Sequence, residues 1–239
     1  MRYLVVNADD FGFSRSVNRG VIEAHEQGIV TSASLMVDRP GAAEAAAYAT
    51  RCPELGLGLH VELKRWRVSR VPRRGATLRA SALARATAAQ LERQLERFRA
   101  LVGRDPSHLD AHHNRHLLED VQPQFREVAE QLHVPVRRID PRIAFKGDFY
   151  GHDGKGRPDP AAITTEALLS LLESIEEPIT DLACHPGFTE DLEDWYWSER
   201  EQEVRALCDG RIRAAVSRLG LRLCTFPDAL RLTGETGSA

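Results

Sequence analysis

Two adjacent aspartates, Asp9 and Asp10, close the apolar run Tyr3-Leu4-Val5-Val6 near the start of the chain. Side by side and unpaired, two carboxylates repel each other, and partial burial deepens the penalty. A cation set against them removes it, and the chain holds the other groups such a cation needs. His60 ends the run "LGLGLHV", Asp110, His112, His113 and His116 crowd into "LDAHHNRH", and His185 stands in "ACHPG". One carboxylate with two imidazoles is a ligand set for a divalent metal that leaves coordination positions open. A metal there lowers the pKa of bound water to about 7 and polarises a carbonyl. One aspartate of the pair would bind the cation, and the other would sit beside it as a base. His185, across the site, would be the acid that protonates a leaving group. The combination suits hydrolysis of an amide or an ester.

Such side chains converge only if the elements carrying them do. Short apolar, β-branched runs predict strands over 2–7, 29–37, 55–61, 107–112, 134–139, 180–185 and 221–225. Helical spacing predicts helices over 15–27, 41–51, 82–102, 122–132, 161–175 and 198–218. Strands that alternate with helices imply a parallel sheet. Seven strands suit a (β/α) barrel of the TIM type, slightly reduced, better than an open doubly wound sheet. In either architecture the active site lies at the C-terminal ends of the strands. The candidate groups stand at four such ends.

The chain of 239 residues reads as a single domain over 1–239, with a polar tail, 232–239, expected to fray. A net charge of −3 argues against a general nucleic-acid binder. No apolar run is long enough for a membrane span, and the expected location is cytoplasmic. Four scattered cysteines read as reduced thiols, with Cys184 buried and inert. A homodimer is compatible with the sequence.

Other residues have more than one reading. Asp110 would hold a ligand histidine in its tautomer or cap a strand end. His113, alternating with His112 on a strand, would point away, and His116 would reach the site if the chain turns helical. Of Arg137 and Arg138, one would enter the mouth and the other point outward. Phe149 and Tyr150 would form an aromatic wall for a sugar or pack within their loop. Trp195, Tyr196 and Trp197 would stack on a sugar, cover the helices or form a subunit contact. The Glu–Arg pairs of 199–205 would be a solvated helix face. The arginine-rich segment 64–79 reads as a solvated loop or as a basic lid over the mouth.

The stretches "VNADDFGFS", "GIVTSASLM", "GLGLHVEL", "SHLDAHHNRH", "GDFYG" and "CHPGF" resemble, in order and spacing, the YdjC-like carbohydrate deacetylases, over residues 2 to about 230. That resemblance implies a variant (β/α) barrel and metal-dependent removal of acetyl from N-acetylglucosamine-type sugars. It further implies Asp10, His60 and His112 as metal ligands, Asp9 as base and His185 as acid. It keeps magnesium beside zinc as the cation. Asn114 and Arg115 depart from the family's histidine-rich run. Two alternatives remain: a metal-dependent phosphoesterase, and a non-catalytic glycan-binding protein.

Overall fold

A computed structural model describes residues 1–63, 76–153, 155–191 and 198–235. Most of the basic segment 64–79 lies outside the described residues, as do Trp195, Tyr196 and Trp197. In chain order the strands are β1 (Arg2–Phe11), β2 (Ser32–Leu35), β3 (Gly56–Val61), β4 (Leu109–Ala111), β5 (Ala144–Lys146), β6 (Ile179–Cys184) and β7 (Leu221–Leu223). The helices are α1 (Arg15–Glu26), α2 (Ala42–Arg51), α3 (Ala76–Val102), α4 (Gln122–Leu132), α5 (Thr165–Glu173), α6 (Ser198–Leu207), α7 (Gly210–Arg218) and α8 (Phe226–Glu235).

The strands form one sheet in the order β4-β3-β2-β1-β6-β5, and β7 pairs with the first half of β1. Every pairing is parallel. Along the sheet β1 and β4 are three strand spacings apart, about 14 Å if the sheet were flat. Yet the Nη1 atom of Arg137 lies 2.6 Å from Asp9 on β1 and 2.6 Å from Asp110 on β4. The sheet is therefore rolled, and its strands enclose a common interior. A single bridge from Leu109 to Val136 extends the wall beyond β4. Among the described residues nothing pairs that segment with β5, so the barrel is incomplete there. β2, β3 and β6 are buried throughout, as strands covered on both faces must be. None of the described helices is long and apolar enough to cross a membrane.

Local chemistry explains where the elements depart from expectation. The strand expected at 134–139 shrinks to the bridge at Val136 and a turn. Pro135 has no N–H for a ladder, and Arg138 adopts φ 62°. The strand of that region is β5, a few residues on. The expected helix 198–218 is two helices, because the Asp209 side chain caps the Arg211 N–H and starts α7 afresh. The helix expected at 161–175 opens as a 3-10 turn, with Thr164 capping α5. Helix α8 runs to Glu235, into the tail expected to fray. All four cysteines are free.

Candidate active site

The two aspartates lie on consecutive positions of β1, whose side chains should alternate between faces. A register shift between Ala8 and Phe11, with Asp10 at φ 66°, breaks that alternation. A bulge of this kind re-aims side chains, and both carboxylates line one cavity of about 1060 Å³ at the barrel mouth. His60, His112, His113, Arg138, Tyr150 and His185 share its lining.

His112 and its neighbours reach the cavity through a second irregularity. β4 ends at Ala111, and His113 and Asn114 take φ 56° and 54° in the turn that follows. The alternation expected of a strand does not apply, so His113 faces the cavity with its ring 3.9 Å from that of His112. His116, in contrast, is buried away from the mouth. Its Nδ1 accepts the Ala111 N–H at 3.0 Å and its Nε2 donates to the Arg137 carbonyl at 3.1 Å. With both nitrogens engaged by backbone, His116 pins the turn and does not face a ligand. Asp110 also stands behind the lining. Its Oδ1 accepts His60 Nδ1–H at 2.7 Å, which corresponds to the orienting reading of that residue.

Asp10 Oδ1 lies 3.1 Å from His112 Nδ1 and 3.4 Å from His60 Nε2. It is buried and accepts no well-formed hydrogen bond. Ligand atoms at ~2.1 Å from a common metal are about 3.0–3.4 Å apart in octahedral or tetrahedral geometry. The three donors therefore fit a divalent cation. Charge balance agrees: Asp9, Asp10, Asp110 and Asp181 face Arg137 and Arg200, an excess of two negative charges. Asp9, His60 and Asp110 also approach one another. There the Arg137 guanidinium already occupies both carboxylates, which excludes a second positive ion.

Burial would raise the Asp10 carboxyl, but Arg200, 2.7 Å from Oδ2, with His112 and His60, holds it well below the usual range. Burial would lower His60, but Asp110 and Asp10 carry it well above its ordinary value, so positive charge is favoured at that spot. Burial pushes His185 down, against the pull of Asp9 and Asp10. Burial lifts Asp181 to about 6 despite its ion pair with Arg137. Asp9 Oδ1 receives Arg137 Nη1 at 2.6 Å and Asn7 Nδ2 at 2.8 Å, while Oδ2 faces His185 Nε2 at 3.7 Å. The Tyr150 ring packs 5.0 Å from that of His185.

Further charges support the site, some of them against expectation. Arg137 and Arg138 both turn inward, because the turn at 137–139 replaces a strand. Arg137 is buried among three carboxylates, and Arg138 stacks on Phe145 at the cavity wall. On α6, Glu199, Arg200 and Glu203 are buried, so the solvated face expected there is an inner face. Arg200 binds Asp10, Glu199 binds His152, and Glu203 accepts the His185 N–H. The only sequence trace of Asp181 is a charge inside an apolar strand.

The loop after His185 is fastened to α1. Phe188 N–H donates to the Ser16 carbonyl at 3.1 Å, and Asp191 accepts from the Ser14 hydroxyl and from the Arg15 and Ser16 N–H groups. Gly20 of α1 and Gly187 meet backbone to backbone, and a Cβ on Gly20 would fall 2.4 Å from Gly187 Cα.

The family model for YdjC-like proteins matches residues 3–218. The chain belongs to the YdjC-like family. A carbohydrate deacetylase of Geobacillus stearothermophilus is 34% identical, aligned over 97% of this chain and 99% of its own. A chitooligosaccharide deacetylase of Salmonella schwarzengrund is 29% identical over 95% and 99%. Among solved structures, an Enterococcus faecalis protein, provisionally described as a cellobiose-phosphate cleavage protein, superposes with a TM-score of 0.76. It is 25% identical and covers 95% of this chain and 98% of its own.

Proposed function

We propose that this YdjC-like protein is a carbohydrate N-deacetylase that hydrolyses the acetamide of an N-acetylated sugar to a free amine and acetate. The observation that carries the reading is one cavity in which Asp9 faces His185 at 3.7 Å beside the Asp10–His60–His112 set. The names of its full-length relatives point the same way.

Asp10, His60 and His112 would hold a divalent cation, zinc or magnesium, and two imidazoles with one carboxylate favour zinc. Bound there, such a cation would acidify water and polarise the acetyl carbonyl. Arg137 and Asn7 fix Oδ1 of Asp9, which leaves Oδ2 to take the proton of an attacking water. His185 Nε2, 3.7 Å from that oxygen, is placed to receive the proton and deliver it to the departing amine nitrogen. Its lowered pKa makes the protonated ring a ready donor. Arg200 holds Asp10 in its ionised form. Tyr150 and Arg138 would line the space around the sugar; Phe149, expected to share that wall, is instead buried in the hydrophobic core behind it.

A phosphoesterase that works with two metals needs a second ligand set. Among the described residues the second candidate group is the one Arg137 fills. A pure glycan binder needs neither Asp9 nor His185. The test is acetate release from N-acetylated mono-, oligo- and lipid-linked sugars, with zinc or magnesium. No acetate from any of them, by protein shown to carry stoichiometric metal, overturns the proposal.

A further inference from the structure

Behind the metal set lies a buried chain of polar groups that the chemistry above does not use. Ser34 Oγ on β2 meets Asn7 Nδ2 at 2.9 Å, His108 Nε2 at 2.9 Å and Asp110 Oδ2 at 3.0 Å. All four residues are buried. A hydroxyl has one proton to give and two lone pairs to fill. The Asn7 nitrogen only donates. Asp110, already holding Arg137 and His60, only accepts. The hydroxyl proton therefore goes to Asp110, and His108 must carry its own proton on Nε2. His108 Nδ1 is then the acceptor for the Ser107 hydroxyl at 3.0 Å.

Donation thus runs one way: Ser107 to His108, His108 to Ser34, Ser34 to Asp110. The second oxygen of Asp110 takes the Nδ1–H of His60, which turns the Nε2 lone pair of His60 toward Asp10. The other hydrogen of the Asn7 amide goes to Asp9. The seat of His108 is shaped for the ring. Gly58 lies on β3, two residues before His60, and a Cβ there would fall 2.3 Å from the imidazole, while Phe226 packs 4.4 Å away.

We propose that Ser34, held by His108, is a positioning residue for the metal set: it locks the Asp110 carboxylate that orients His60. The proposal rests on the metal reading for its purpose but not for its geometry. Without the Ser34 hydroxyl, Asp110 Oδ2 keeps only Arg137, and the carboxylate is free to turn its Oδ1 away from His60. Through Asn7 the same hydroxyl ties the base to the metal ligands, so aspartate and imidazole move as one unit.

The test compares Ser34→Ala, His108→Leu and His108→Gln, the last keeping an amide donor near the position of Nε2. Zinc binding is measured by calorimetry with zinc chloride alone. Exchange of the His60 Nδ1–H is measured by NMR of metal-free protein labelled at the histidine rings. Ser34→Ala and His108→Leu are expected to weaken zinc binding ~10–100-fold, the usual loss for a group behind a metal ligand. Both should also speed exchange of the His60 proton, because the carboxylate that holds it is no longer fixed. His108→Gln is expected to stay close to wild type in both. A purely structural role lowers the melting temperature of folded Ser34→Ala while zinc affinity and the His60 proton stay unchanged, and that result overturns the proposal. If Ser34→Ala does not fold, the contrast between His108→Leu and His108→Gln decides in the same terms. If wild-type protein binds no zinc or magnesium, the metal reading fails, and the His60 exchange rate alone decides the role of Ser34.

Discussion

Replacing His108 with glutamine should flatten the acid side of the stability profile. Burial holds the folded imidazole down to about 3, whereas in the unfolded chain it titrates near 6.5. Between those values the unfolded state binds the extra proton, so the contribution of His108 is fully present above pH 6.5 and is lost as pH falls. From 6.5 to 5 the loss accrues over one and a half pH units, about 2 kcal/mol. Asp181 acts in the opposite sense. Its folded carboxyl, raised to about 6, takes up a proton first and gains stability as pH falls through that value. Since Asp181 is present in both proteins, its effect cancels when the two are compared. Urea unfolding at pH 7 and pH 5 should show wild type losing about 2 kcal/mol more than His108→Gln. Equal losses in the two proteins would refute the account of His108 as a neutral ring locked into a hydrogen-bonded chain.

Three further outcomes follow from the site. Asp9→Asn should keep its metal and substrate affinity while kcat falls ~10²–10⁴-fold, and metal loss from Asp9→Asn with retention in Asp10→Asn would exchange the two roles. Asp10→Ala, His60→Ala and His112→Ala should each lose stoichiometric metal, checked by elemental analysis, and full metal in all three would remove the ligand assignment. Gly58→Ala forces its methyl against the His108 ring and should cost ~1–3 kcal/mol in urea unfolding, the usual range for overpacking. Unchanged stability would show that the ring is free to move aside.

The groups at strand ends were legible in the sequence because a parallel barrel delivers the ends of its strands to one mouth. Asp9, Asp10, His60, His112 and His185 stand at such ends, each in a short distinctive motif. The elements were legible where periodicity is long, as in α1 and α4. It misled where a few residues change the backbone. Pro135 and the left-handed Arg138 dissolve a strand that pattern alone supports. His113 reaches the cavity because of a φ angle, and a hydrophobic pattern does not encode one. Arg200 was the least legible. In "SERE" a buried arginine looks like any solvated one, and its role comes from an aspartate 190 positions earlier in the chain. Charges that neutralise one another across a barrel leave no local trace.

The meeting of Gly20 with Gly187 bears on how such a site can diversify. The proposed base precedes α1 and the proposed acid precedes the Gly187 loop, so the gap between them is gauged where two main chains touch. A side-chain contact can slip between rotamers, but a main-chain contact cannot. The gap is therefore insulated from the identity of the rim. Phe13, Arg39, Phe145 and Arg138 can be exchanged for other side chains, and the cavity can admit a different sugar, without retuning the spacing across which a proton would pass. Recognition is left free to drift while the chemistry stays fixed. A methyl group added at Gly20 would act as a shim against Gly187 and couple the two again.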